Sequence, residues 1–219
     1  MAVSLLLTAR EASALPGFWR AAFVLGGDLL YAAARFQTMN RLNLIQHLQA
    51  HKTYDEREHA MCDALIQFVQ THENCAARAL QVGHLTGSAW IVDQALTHTL
   101  LTHHRKLNLW VQLGGHVEDD ADMLAASWRE AREESGLQDL QLLVPYIFDV
   151  DIHAIPARKD EPEHFHYDIR YAFQADRHAP LTVSSESREL AWVALDEIET
   201  LTTEESVLRM VRKTKALVK

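Results

Sequence analysis

Gly115-His-Val-Glu-Asp-Asp-Ala-Asp-Met-Leu-Ala-Ala-Ser-Trp-Arg-Glu-Ala-Arg-Glu-Glu-Ser-Gly-Leu137 is the stretch on which the reading of this chain turns. From Asp122 to Ser135 it contains neither Gly nor Pro, and its Met, Leu, Ala, Trp, Arg and Glu suit a helix. On that helix Glu130, Glu133 and Glu134 stand at i, i+3 and i+4, so their carboxylates share one face. Like charges at that spacing repel and raise one another's pKa, a penalty that a divalent cation removes. Hard oxygen donors of this kind suit Mg²⁺ or Mn²⁺, ions that keep several waters and also bind substrate phosphates. The bland alternative is a solvated acidic face. The flanks argue for more. Gly114-Gly115 allows backbone to approach a ligand closely. Asp119, Asp120 and Asp122 surround the helix start, where exposed amides favour carboxylates. Gly136 stands where a helix-stopping glycine is expected.

This loop–helix–glycine pattern resembles the Nudix box: Gly, five residues, Glu, seven residues, then Arg-Glu-aliphatic-x-Glu-Glu-x-Gly-aliphatic. Gly115, Arg129, Glu130, Glu133, Glu134, Gly136 and Leu137 fall in register, with Ala131 at the first aliphatic place. One position departs: Ala121 stands where the pattern has its first Glu. In the family that Glu mainly supports the loop and the neighbouring Arg. Asp120 and Asp122 are the adjacent substitutes, although a one-residue shift along a helix turns a side chain by roughly 100°. The surrounding segment, 88–199, follows the family's order of elements more loosely.

The resemblance implies an α/β fold, an α/β/α sandwich with a mixed sheet, and hydrolysis of a diphosphate linked to another moiety. Glu130, Glu133 and Glu134 would hold one to three Mg²⁺, with the Gly115 carbonyl as a further ligand and Mn²⁺ as a substitute. Arg129 would pair with an acid and orient the helix. A carboxylate would take the proton of the attacking water. The family often recruits that base, or another ligand, from a later loop, where Glu186 and Glu189 are the candidates and Glu186 the preferred one. The expected catalytic set is thus Glu133, Glu134, Glu130, Arg129 and Glu186. The expected reaction is metal-dependent cleavage of a nucleoside-diphosphate-linked or related small molecule. The alternative, motivated by Ala121, is a weakly active or inactive Nudix-like nucleotide-binding or sensor module. An isopentenyl-diphosphate-isomerase-like reaction needs an active-site cysteine, and neither Cys62 nor Cys75 lies in the sheet region.

A second cluster is rich in histidine. His164, His166 and Asp168 alternate along an expected strand and face one way, and Asp151 and His153 share a face on another. Such a set would hold a transition metal or grip phosphate, or simply line a polar sheet face with neutral imidazoles. His116 follows the glycine pair and is better placed to meet substrate. His103, His104, Arg105 and Lys106 form a basic run that attracts phosphate or merely ends a hairpin. Trp90, Trp110 and Tyr146 are candidates to stack on a base, against the commoner alternative of core packing.

The 219 residues carry 30 acidic against 21 basic side chains, a net charge of −9. This excludes a general nucleic-acid surface, which needs clustered Lys and Arg. Two cysteines make no disulfide framework, and buried thiols in a reducing, cytoplasmic setting are expected. No apolar run reaches the roughly 20 residues of a membrane span. Residues 1–38 are rich in Ala and Leu and poor in acids. They read as a weakly ordered extension preceding a true start at Met39, with an ordered helical appendage and a targeting segment as alternatives. Residues 39–82 read as a helical preface, with helices at 41–50 and 55–71 and an apolar stripe of Met61, Leu65, Phe68 and Val69 beside Ala60 and Ala64. This preface also offers a homodimer face. Residues 83–219 read as the catalytic domain. Strands are expected at 88–94, 95–103, 140–152, 165–174 and 189–193, with 110–113 leading into the glycine pair, and helices at 195–200 and 204–217.

Overall fold

The computed structural model describes residues 39–158 and 162–218; the three readings of residues 1–38 fall outside them. Two helices open the described chain, α1 (Arg41–Gln49) and α2 (Glu56–Thr71). Asn40 and Asp55 cap them, each side chain accepting a backbone N–H three residues on. Four strands follow: β1 (Gly83–Asp93), β2 (His98–His104), β3 (Leu109–Val111) and β4 (Leu113–His116). Next come α3 (Met123–Ser135), β5 (Gln141–Leu142), β6 (Asp149–Ile155), β7 (His164–Ala175) and β8 (Ser187–Ala194). The short α4 (Ile198–Leu201) and the amphipathic α5 (Glu205–Leu217) close the order.

The eight strands form one mixed sheet. Its spine is the parallel pair β1–β7, in register from Gly83↔Phe165 to Asp93↔Ala175. Both spine strands change antiparallel partners along their length. The first half of β1 pairs with β4 and its last residues with β2, while β7 pairs first with β6 and then with β5. The sheet therefore curls. Alternation divides the spine into two faces. Leu85, Ala89, Ile91, Ile169, Tyr171 and Phe173 bury themselves with α3 and with Leu44, Leu48, Leu65 and Phe68 of the preface. On the opposite face Trp90, Val92 and Ala172 pack on Val207, Met210 and Val211 of α5. Helices on both faces of a mixed sheet are the expected α/β/α sandwich.

The preface shares the main core. Phe68 stacks on Tyr167 with ring centroids 3.7 Å apart. The buried face of α2 is Glu58, Cys62, Leu65 and Val69, with Phe68 beside it, whereas Ala60 and Ala64 are exposed. The apolar-stripe reading of that helix thus missed a fully buried carboxylate. Glu58 accepts from Lys213 and Tyr54 N and bonds His51. Lys213 and Arg209 also bind Asp149. Burial works to raise the Glu58 pKa, but these partners outweigh it and hold the group at about 2.

Two strand expectations change. The stretch 140–152 breaks into β5 and β6 around Pro145, a residue that cannot donate to a ladder. Strand β1 begins five residues earlier than the apolar run suggests, because the polar His84, Thr86 and Ser88 all pair with β7, and Thr86 and Ser88 with β4 as well. No described helix is long and apolar enough to cross a membrane.

Candidate active site

Helix α3 lies against β1 and β4, and this packing sets the site. Asp122 caps it, accepting Ala125 N–H at 2.8 Å, and Gly136 ends it with φ 75°, a left-handed turn that favours glycine. Ala126 and Ala131 face the core, so the carboxylate side of the helix turns toward the β4 backbone. Glu130 sits directly over Gly115: a Cβ there would stand 2.5 Å from its Oε1. A side chain there would push the Glu130 carboxylate aside. Gly114 N–H donates to Oε2 of Glu134 at 2.9 Å. Glu133 is the solvent-facing member, its side chain 61% exposed.

Arg129 ties Glu130 and Glu133 together. Its Nη1 donates to Glu130 Oε1 at 2.7 Å and Glu133 Oε2 at 3.1 Å, and its Nη2 donates to the His116 carbonyl at 2.8 Å. Asp120 completes the shell. Arg129 Nε and Nη2 grip its carboxylate at 3.2 and 2.8 Å, and both side chains are more than nine-tenths buried. Burial opposes the Arg129 charge, but the bonds to Asp120 and Glu130 win and raise its pKa. Of the two acids beside Ala121, Asp120 is thus the one that pairs with Arg129. The helical rotation argument does not apply to it, because the helix begins only at Met123 and Asp120 lies on the loop before it. Asp122 is committed to the cap.

Burial is the largest influence on the two inner carboxylates. It pushes Glu130 and Glu134 up to about 7, and the charges of Glu133 and Glu186 push the same way. Glu186 thus reaches the site electrostatically from the exposed loop before β8. That loop is held by the upstream basic run: Arg105 donates to the carbonyls of Ser185 and Ser187, and its N–H to that of Glu186. The run anchors the loop through Arg105. Glu189 lies on β8 opposite His103.

The histidine reading divides. Asp168 belongs to a buried network, accepting from Thr86, Ser88, Gln112 and Arg170. His164 and His166 instead face His84 and His116, on strands that local sequence does not connect. Trp90 is fully buried and donates to Thr214, which removes it as a stacking platform. Trp110 stacks on His103, and Tyr146 is exposed. A cavity of about 630 Å³ opens between α1 and α3, walled by Met39, Leu44, Tyr54, Met123 and Tyr146; none of the four glutamates lines it.

The carboxylates of Glu130 and Glu134 thus converge on the Gly114–Gly115 backbone, with Arg129 locked beside them by Asp120. The family model for the NUDIX domain matches residues 84–213, more than half of the chain, and the chain belongs to the Nudix family. It is a Nudix-type pyrophosphohydrolase. Several solved structures are similar at low identity. A NUDIX-family hydrolase from Clostridium perfringens is 22% identical, with 61% of this chain and 97% of that one covered and a TM-score of 0.45. A C. elegans Ap4A hydrolase is 16% identical, covering 61% and 97% with a TM-score of 0.46. The NUDIX domain of Shewanella oneidensis NrtR, complexed with ADP ribose, is 14% identical, covering 70% and 97% with a TM-score of 0.47. Comparison with curated proteins finds no match.

Proposed function

We propose that the protein cleaves the diphosphate linkage of a nucleoside-diphosphate-linked or related small molecule, with Mg²⁺ as its cofactor and Mn²⁺ as a substitute. The supporting observation is the convergence of Glu130, partly buried, and Glu134, buried, on the Gly114–Gly115 backbone beside Glu133, where burial raises the pKa of both. Such a set is poorly compensated by protein alone, since Arg129 is the one cation that these hydrogen bonds bring to it. All-oxygen donors fit a hard divalent ion. Glu130, Glu133, Glu134 and the Gly115 carbonyl would hold it. Bound there, the ion neutralises charge growing on the phosphoryl oxygens.

The remaining roles belong to the chain. Arg129, fixed by Asp120 and the His116 carbonyl, keeps Glu130 and Glu133 oriented. Glu186 takes the proton of the attacking water; it is solvent-exposed, and its charge is felt at both inner carboxylates. The Asp120–Arg129 pair weighs against the inactive-module reading, because it meets the need that Ala121 leaves. The net charge of −9 keeps general nucleic acids out of the substrate set. Two buried free thiols favour a cytoplasmic setting, and homodimerisation through the preface is tested by sedimentation.

The test is a panel of diphosphate compounds, with and without Mg²⁺ or Mn²⁺, beside the double variant Glu133→Gln, Glu134→Gln. Metal-dependent release of a monophosphate, lost in the variant, is the expected result. Ligand binding without turnover across the panel would replace this reading with the binding module.

A further inference from the structure

On the sheet face opposite α3, four neighbouring strands bring histidines to one end. His84 of β1 pairs with His166 of β7, and His166 with His153 of β6. His116 of β4 pairs with Thr86, two residues from His84 and on the same face. His164 lies two residues from His166 on the same strand. The rings form a continuous patch. His84 lies 4.9 Å from His116, 5.1 Å from His164 and 4.9 Å from His166, while His153 lies 5.5 Å from His166 (centroid distances). One ring nitrogen from each of His84, His116 and His166 falls within 4.8 Å of the other two.

We propose that His84, His116 and His166 form a binding site for a borderline-soft divalent transition metal of the Zn²⁺ type, distinct from the carboxylate cluster. Zn–N bonds of about 2.0–2.1 Å place tetrahedral ligands roughly 3.3 Å apart, and imidazole rotation about χ1 and χ2 closes the difference without moving a strand.

The flanking rings are prepared as a fourth ligand. His153 Nδ1 lies 3.1 Å from Asp151 Oδ2, and His164 Nδ1 lies 2.9 Å from the Pro162 carbonyl. Asp151 faces the guanidinium groups of Arg170 at 3.4 Å and Arg209 at 3.8 Å, which favour its carboxylate form. Both partners are then pure acceptors, so each Nδ1 carries the proton and each Nε2 presents a lone pair. Carboxylate and carbonyl partners of this kind orient metal-ligating histidines. The chemistry also separates a cation from an anion. Imidazoles packed 4.9–5.3 Å apart, as His84, His116 and His166 are, repel one another when protonated and so favour the neutral form. Neutral imidazoles ligate metals, whereas gripping phosphate would need several imidazolium ions packed together.

The two sites lie back to back. Gly115 pairs with Gly87 on the α3 side, and His116 pairs with Thr86 on the histidine side. An ion on the histidines would clamp β4, β1 and β7 at the point where the His116 carbonyl receives Arg129.

The test titrates Co²⁺ into metal-stripped full-length protein and follows the visible spectrum. The expected result is one equivalent bound with intense tetrahedral bands, displaced by Zn²⁺ and indifferent to excess Mg²⁺. Affinity should fall at least tenfold in His84→Asn and in His116→Asn, and stay unchanged in the triple variant Glu130→Gln, Glu133→Gln, Glu134→Gln. Circular dichroism checks each fold. Should His84→Asn fail to fold, the less buried His116→Asn carries the comparison, together with a Zn²⁺-dependent rise in wild-type Tm that this variant loses. No tetrahedral bands in the wild type would overturn the proposal. So would bands that survive the histidine changes and vanish with the glutamates.

Discussion

Truncating Asp120 should expose how much the active-site helix depends on a loop residue outside the box pattern. In Asp120→Ala the guanidinium of Arg129, 6% exposed, loses contacts at 2.8 and 3.2 Å. Breaking a buried pair by removing one partner costs about 3–5 kcal/mol. Here Arg129 keeps Glu130 at 2.7 Å, Glu133 at 3.1 Å and the His116 carbonyl at 2.8 Å, so the loss should be nearer ~2 kcal/mol. For a domain of this size that is a fall in Tm of about 4–8 °C. Arg129 would also swing toward the glutamates it orients, and kcat/KM should drop about tenfold, or ~1.4 kcal/mol of transition-state stabilisation. Asp120→Asn, which keeps the shape and one acceptor, should lie between. Ala121→Glu alone should change little, because the Arg129 fork is already occupied. Thermal melts and steady-state kinetics on the same preparations check all three. A stability change within ~0.5 kcal/mol for Asp120→Ala, with unaltered kcat/KM, would refute the reasoning.

Glu186→Gln should lower kcat about 100-fold with little change in KM, and pull Glu130 and Glu134 back toward ordinary carboxylate values; pH–rate profiles read both effects. Glu130 and Glu134 are raised to about 7, so the stability they contribute is fully present below about pH 4.5 and lost as pH rises through 7, an upper bound of ~3 kcal/mol each. Metal-free protein should therefore melt at lower temperature at pH 8 than at pH 5, and Mg²⁺ should restore more at pH 8; a flat profile in EDTA would contradict this. Glu58→Ala, which leaves Lys213 and Arg209 facing Asp149 without their second acid, should cost about 3–5 kcal/mol in urea unfolding.

The box was legible because its information is local. Helix spacing alone puts Glu130, Glu133 and Glu134 on one face, and Gly136 takes the left-handed turn its position suggests. Asp120 was harder to assign because its role depends on where the helix begins, and a rotation argument fails once the residue lies on the preceding loop. The histidine patch was half legible. Alternation put His164 and His166 together, but His84 and His116 join them through strand pairings that no local pattern encodes. Asp168 shares their face yet turns to Thr86 and Ser88. Glu58 was invisible for the same reason: its partner lies in the last described helix.

That last contact has a consequence for synthesis. Glu58 and Lys213 are separated by 155 positions. At roughly 5–20 residues per second, about 8–30 s pass between the emergence of the two on a ribosome. During that interval α2 can form, but the acid it carries into the core has no cation to meet, and the face of the sheet that α5 will cover stays bare. The nascent chain must keep this half-built surface from sticking to itself or its neighbours until its final helix arrives. Its yield in a cell should accordingly respond to chaperone supply more than the stability of the finished protein suggests.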